Sequence, residues 1–111
     1  MIVGNQMGEN VIHGRFEWDK EKEAINIKKH GISFEEILPM FDDPLFWEKE
    51  DFAHSSLDET RYIGTAKING FAVVVSCYTE RERERIRIIS ARASTKEEEK
   101  FYEQWCKQFY S

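Results

Sequence analysis

The most specific chemistry in this chain lies in its seven arginines, six of which (Arg61, Arg81, Arg83, Arg85, Arg87 and Arg92) fall between residues 61 and 92. A guanidinium offers a planar fork of donors that fits phosphate oxygens in pairs, whereas lysine would serve for solubility alone. Glu59 precedes Arg61 by two positions, close enough to orient the guanidinium or to act as a base. Strand alternation sends Arg87 to the side of Ile89, and Arg92 to the side of Ile86, Ile88 and Ser90. Arg92 is therefore expected beside buried isoleucines, where it must be paired or reach into a cleft, because an unpaired buried charge is too costly. Two readings of Glu80–Arg85 stand: a solvated hairpin laced with Glu–Arg pairs, or part of a phosphate-facing surface.

Histidine is the side chain that changes charge near neutral pH. His30 follows Lys28 and Lys29 at the end of a predicted helix, a position that also suits it electrostatically, and His54 lies in a polar connection before residue 60. His13 lies in the leader and is assigned no role. Three scattered histidines without paired spacing predict no metal site, and no cofactor is expected. Cys77 and Cys106, without a C-x-x-C pair, read as reduced structural thiols.

The 111 residues carry a formal charge of -5, a balance that by itself opposes nucleic-acid binding. By segment, however, the charge is -6 over residues 1–57, +2 over residues 58–92 and -1 over residues 93–111. Binding depends on the local potential of a cleft, so the arginine segment is compatible with a phosphate-bearing ligand. No apolar run approaches the ~20 residues of a membrane span, and no secretory signal is read at the start, so a cytoplasmic protein is expected. No helix is basic along one face, which argues against direct DNA recognition by this chain.

These side chains need a scaffold. Residues 1–14 read as a flexible leader and 15–111 as one domain. A short strand at 16–18 runs into Asp19, a helix cap, and a helix over 20–30 with Ala24, Ile25 and Ile27 as its apolar face stops at Gly31. Ser33 and Glu36 form a capping box for a second helix, with Ile32 and Ile37 as its staple and Pro39 tightening or bending it. Strands are predicted at 45–49, 60–68, 71–78 and 86–92, with Asn69-Gly70 as a type I′ turn. Thr95 and Glu98 cap a final helix with Phe101, Trp105 and Phe109 as its core stripe or a lid on the sheet. The expected class is α+β with an antiparallel sheet.

Phe16-Glu17-Trp18-Asp19, Asn26, Lys29-His30-Gly31, Ser33-Phe34-Glu35-Glu36, Phe41-Asp42-Asp43-Pro44, His54 and Glu59-x-Arg61 occur in this order. Ile63-Gly64, Tyr78-Thr79-Glu80-Arg81 and Ile86-Arg87-Ile88-Ile89-Ser90-Ala91-Arg92 follow. Over about residues 16–103 the chain resembles the BrnT family of type II toxins. Pro39, Ala93-Ser94 and an acidic rather than Arg-rich final helix depart from the family pattern.

The resemblance implies a RelE/ParE-like fold, a small twisted antiparallel sheet packed by two N-terminal helices and a C-terminal helix. It also implies a metal-independent endoribonuclease that arrests translation. The implied partner is a BrnA-like ribbon-helix-helix antitoxin, with operator DNA bound only through their complex and no membrane involved. Attack by a ribose 2′-OH needs a base, cations for the crowded phosphorane and an acid. On this reading Arg61 and Arg92, assisted by Arg81, stabilise charge, and His30 with Lys29 or Glu59 moves protons. Tyr78 stacks a base or donates to phosphate, with His54 and Arg87 also binding substrate. The alternative is a catalytically silent module whose arginine face docks the antitoxin.

Overall fold

Residues 9–70 and 72–109 are described by the computed structural model of the protein. Six strands, β1 (Asn10–His13), β2 (Phe16–Asp19), β3 (Trp47–Glu50), β4 (Arg61–Ile68), β5 (Ala72–Arg81) and β6 (Arg85–Ala93), form one sheet in the order β1-β2-β6-β5-β4-β3. Helix α1 (Lys20–His30) follows β2, a 3₁₀ segment spans Glu35–Asp42, and helix α2 (Lys96–Lys107) follows β6.

Local signals place most of these boundaries. The Asp19 carboxylate accepts from the backbone amides of Glu21 (2.8 Å) and Lys22 (3.2 Å), and Gly31 ends α1 at φ 73°. Asn69 (φ 52°) and Gly70 (φ 83°) form the left-handed turn expected between β4 and β5. Thr95 and Glu98 close a full capping box at α2.

Several expectations are corrected. The sheet is mixed, because β2 runs parallel to β6 while the other pairs are antiparallel. The expected leader is shorter, since Asn10–His13 pairs with β2 as an edge strand; Met1–Gly8, like Phe71 of the predicted third long strand, lies outside the described residues. Only one N-terminal α-helix forms. The Ser33–Glu36 box closes, but Pro39 has no N–H to give Glu35, and the turn continues as 3₁₀ rather than α. Ile25 and Ile27 of α1 are exposed, as are Phe101 of α2 and Phe109 just beyond its end; the buried side chains are Asn26 on α1 and Tyr102 and Cys106 on α2.

One face of the sheet carries the main core. Trp18, Tyr78, Val74, Ile86, Ile88 and Ala91 pack there against Phe34, Ile37, Leu38 and Met40 of the 3₁₀ region. Gly64 allows Phe46 to lie on this face, where an added Cβ would collide with the ring. Among the described residues the opposite face is covered only at one end, where Tyr102 and Cys106 of α2 meet Val73. Asp43 fixes that end: its carboxylate accepts from the Leu45 amide (2.8 Å), the Lys67 amide (2.8 Å) and the Tyr102 hydroxyl. Burial pushes the Asp43 carboxyl up, but these hydrogen bonds outweigh it and hold the group below its ordinary 3.8.

Asn26 solves a problem at the other side of β6. β2 pairs with β6 only at Phe16↔Ile86 and Glu17↔Arg87, so the β6 backbone beyond them needs other partners. The Asn26 amide donates to the Ala91 carbonyl (2.8 Å) and accepts from the Ala91 amide (3.1 Å), standing in for a strand, and also donates to Ile32 O (2.9 Å). Asn26→Ala is expected to lower the unfolding free energy by about 2–4 kcal/mol in urea denaturation, the scale of several unmet buried polar groups; a loss under about 1 kcal/mol would show this bridge to be dispensable.

Candidate active site

Cross-strand partners share a face, so the β-register lists what the bare face displays. Its rows are Arg81↔Arg85, then Arg61↔Thr79↔Arg87 with Glu17 beside Arg87, then Lys49↔Ile63↔Cys77↔Ser90, and then Trp47↔Thr65↔Val75↔Arg92. Arg92 joins this face through a bulge. Tyr78 pairs with Ile88 but Cys77 pairs with Ser90, leaving Ile89 without a partner and reversing the alternation beyond it. The expected position of Arg92 beside Ile86 and Ile88 is thus corrected: Ala91 takes the core face and Arg92 the open one.

Three glutamates hold the five arginines of the face. Glu59 accepts from Arg61 Nε at 2.9 Å and lies 3.8 Å from Arg81 Nη1. Glu17 lies 2.5 Å from Arg87 Nη1 and 3.6 Å from Arg85 Nε, and Arg87 also donates to Asn10 Oδ1 at 2.7 Å. Glu98 accepts from both Arg92 Nη1 (2.7 Å) and Nη2 (2.9 Å), tying β6 to α2. Two positive charges remain over the carboxylates, and partial exposure leaves guanidinium donors free for a ligand. The cross-strand pairing expected of Glu80–Arg85 is present only in part, as Arg81 and Arg85 use Glu59 and Glu17.

An acid–base group borders the second of these rows, at Arg61. Asp51 donates its backbone amide to Arg61 O at 2.7 Å, and its buried carboxylate binds His54 Nδ1 at 2.8 Å. Ser55 Oγ accepts from the Arg61 amide (2.9 Å) and donates to Asp51 O (2.8 Å), so the loop bearing His54 is tied to the start of β4. With Asp51 accepting from Nδ1–H, the exposed imidazole presents Nε2 as a base.

The structure thus brings together Glu59, Arg61, Arg81 and Arg87, places Arg92 farther along the same face and sets His54 at its border. It does not bring Lys29 and His30 to it: both are exposed at the end of α1, and among the described residues neither bonds to a side chain of the arginine face. Tyr78 is on the core face at 2% exposure, donating its hydroxyl to Glu48, and burial together with that bond pushes the phenol well above its ordinary value. It cannot stack on a ligand of the bare face. Sequence reasoning passed over Glu17, Asp51 and Glu98 as site residues and ranked Arg85 below Arg92. Their signal was the need of each clustered arginine for a carboxylate.

A small α+β protein with a bare, arginine-lined sheet face and a carboxylate-held histidine at its margin is equipped to grip phosphate and move protons. The description "ribonuclease toxin, BrnT, of type II toxin–antitoxin system" matches residues 18–98, and the chain belongs to this family. Among solved structures, the Brucella abortus ribonuclease toxin BrnT is similar, with 25% identity and a TM-score of 0.53 over 71% of this chain and 94% of that one. No curated protein sequence matches the chain.

The Arg92–Glu98 latch titrates. The Arg92 hydrogen bonds, working against desolvation, lower the Glu98 pKa from 4.5 to about 2. A depressed carboxyl stabilises the fold above its ordinary value and ceases to as pH falls through the folded one. Thermal midpoints are therefore expected to fall between about pH 4.5 and pH 2. Glu98→Gln should start lower and lose part of that slope; an unchanged slope would show that the latch adds nothing.

Proposed function

We propose that this chain is an endoribonuclease that cuts RNA on the bare face of its sheet, by attack of a ribose 2′-oxygen on the adjacent phosphorus without a metal. The convergence of five arginines on one uncovered face, beside the Asp51–His54 pair, carries this reading. His54 Nε2 takes the 2′-OH proton as the 2′-oxygen–phosphorus bond forms, and Asp51 steadies the resulting imidazolium. The phosphorus–5′-oxygen bond breaks and its electrons leave with the 5′-oxygen, which takes a proton from the medium or from a returning acid. The products are a 2′,3′-cyclic phosphate and a 5′-hydroxyl.

Arg61 and Arg87 face each other across Thr79 and supply cations to the phosphorane, with Arg81 and Arg85 one row away. Glu59 and Glu17 hold these guanidinium groups in place, so little reorganisation is needed when charge develops. The Thr79 hydroxyl is engaged with Thr60 O (2.7 Å) and stays out of the chemistry. Arg92 binds the substrate strand farther from the reaction. The proton-transfer role goes to His54, not to His30 and Lys29. In the cell such cutting would arrest translation, and a BrnA-like ribbon-helix-helix antitoxin would neutralise it, most simply by covering this face. Operator DNA would be contacted through that complex.

Arg61→Ala is expected to lower cleavage of a defined RNA by about 10²–10³-fold, and His54→Ala by about 10²–10⁴-fold, with thermal stability retained. Wild-type product formed in the presence of a chelator should carry a 2′,3′-cyclic phosphate. RNA left intact by the wild type, with antitoxin binding preserved, would leave a catalytically silent antitoxin-binding module instead.

A further inference from the structure

A cleft of about 320 Å³ opens where the bare face meets the first turns of α2, between Trp47, Lys49, Ile63, Arg92, Glu97 and Phe101. Its composition differs from the rest of the face. Trp47 and Phe101 form a corner, with ring centroids 4.8 Å apart and planes at 72°. Phe101 is 46% exposed, although it sits at the edge of an apolar contact that could have buried it. Lys49 Nζ lies 5.9 Å from the centroid of the Trp47 ring. Arg92 closes the wall nearest the sheet, its fork fixed by Glu98.

We propose that this cleft is a subsite for one nucleobase of the RNA, a reading that rests on the ribonuclease function above. A flat ring can lie on one aromatic wall with its edge against the other, as bases do on single-strand-binding surfaces. Two carboxylates, Glu97 and Glu98, offset the cations Lys49 and Arg92 in the lining, and the Arg92 fork is engaged by Glu98, so the cleft favours a neutral ring over a phosphate. The same Glu97 suits a base edge. It makes no hydrogen bond or ion pair among the described residues and can only accept, so it meets the N–H donors of a base edge.

Continuity with the arginine rows sets the path of the strand. Thr65, on the cleft floor, lies four positions along β4 from Arg61, about 13 Å at the usual strand rise, a distance that a short run of single-stranded RNA covers. The family match ends at residue 98, before Phe101. The cleft thus combines a strand residue inside the matched region, Trp47, with a helix residue beyond it.

The test uses the intact chain and an octaribonucleotide methylated at every 2′-oxygen, which can bind but cannot be cut by 2′-OH attack. A single abasic position is walked along it, and affinities are measured by fluorescence anisotropy for the wild type and for Phe101→Ala, whose fold is checked by circular dichroism. One abasic position is expected to weaken wild-type binding about tenfold, and Phe101→Ala to weaken binding of the intact oligonucleotide by a similar factor. Combined, the two changes should cost no more than either alone.

Additive losses, or no loss from either change, overturn the subsite. So does a Phe101→Ala effect confined to the affinity for a protein antitoxin, since the cleft would then be a peptide groove. Cleavage of unmethylated RNA, followed in parallel, separates the two readings. Cutting with additive losses sinks the cleft alone, non-additive binding without cutting sinks the nuclease alone, and absence of both binding and cutting sinks both.

Discussion

Arg87 and Arg92 stand five positions apart on one strand, an odd spacing that a regular strand would send to opposite faces. The core face cannot accept a guanidinium without a buried partner, so β6 must break its own alternation. It does so at Ile89, the residue without a cross-strand partner, and the break keeps Ile86, Ile88 and Ala91 in the core while both arginines emerge on the other side. Bulges leave backbone groups to be satisfied from elsewhere. Two positions beyond the extra residue, the Asn26 side chain bonds both polar groups of Ala91 and holds β6 on course.

The two faces then diverge in chemistry. One is closed by Phe34 and the 3₁₀ segment, where Pro39 withholds an amide from the α pattern. The other is left open except where Asp43 draws in Tyr102 and α2. That partial cover creates a graded surface: phosphate-compatible cations at the bare end, and an aromatic corner beside α2. A protein with a formal charge of -5 can offer a polyanion such a surface, because Glu59, Glu17 and Glu98 are spent in fixing the arginines.

Much of this was legible in the sequence where the signal is local. Asp19, Gly31, the Thr95–Glu98 box and the Asn69-Gly70 turn each act within a few residues, and each stands where it was read. Pairing decisions are not local. Nothing near Phe16 says that β2 will lie parallel to a strand some 70 residues later, and β1 has too few apolar residues to announce itself. The site was half legible for the same reason. Clustered arginines are visible as residue types, but the face each one takes depends on register. The Ile88-Ile89 doublet was the one mark of the bulge that put Arg92 on the open side and, by its pairing with Ile88, Tyr78 in the core. The sequence sets His30 at a helix end and His54 in a loop, but it does not show the Asp51 carboxylate beside His54, which the folding of the β3–β4 loop brings in.

On the proposed function, the bare face of the sheet, and no other surface, receives RNA. The arginine side-chain Nε–H resonances report this directly when the isotope-labelled protein is titrated with a 2′-O-methylated oligoribonucleotide. Shifts are predicted for Arg61, Arg81, Arg85 and Arg87, with Arg92 following and Arg15 unmoved. Shifts centred on Arg15 or on the Lys28–His30 end of α1, with the four sheet arginines silent, would contradict it.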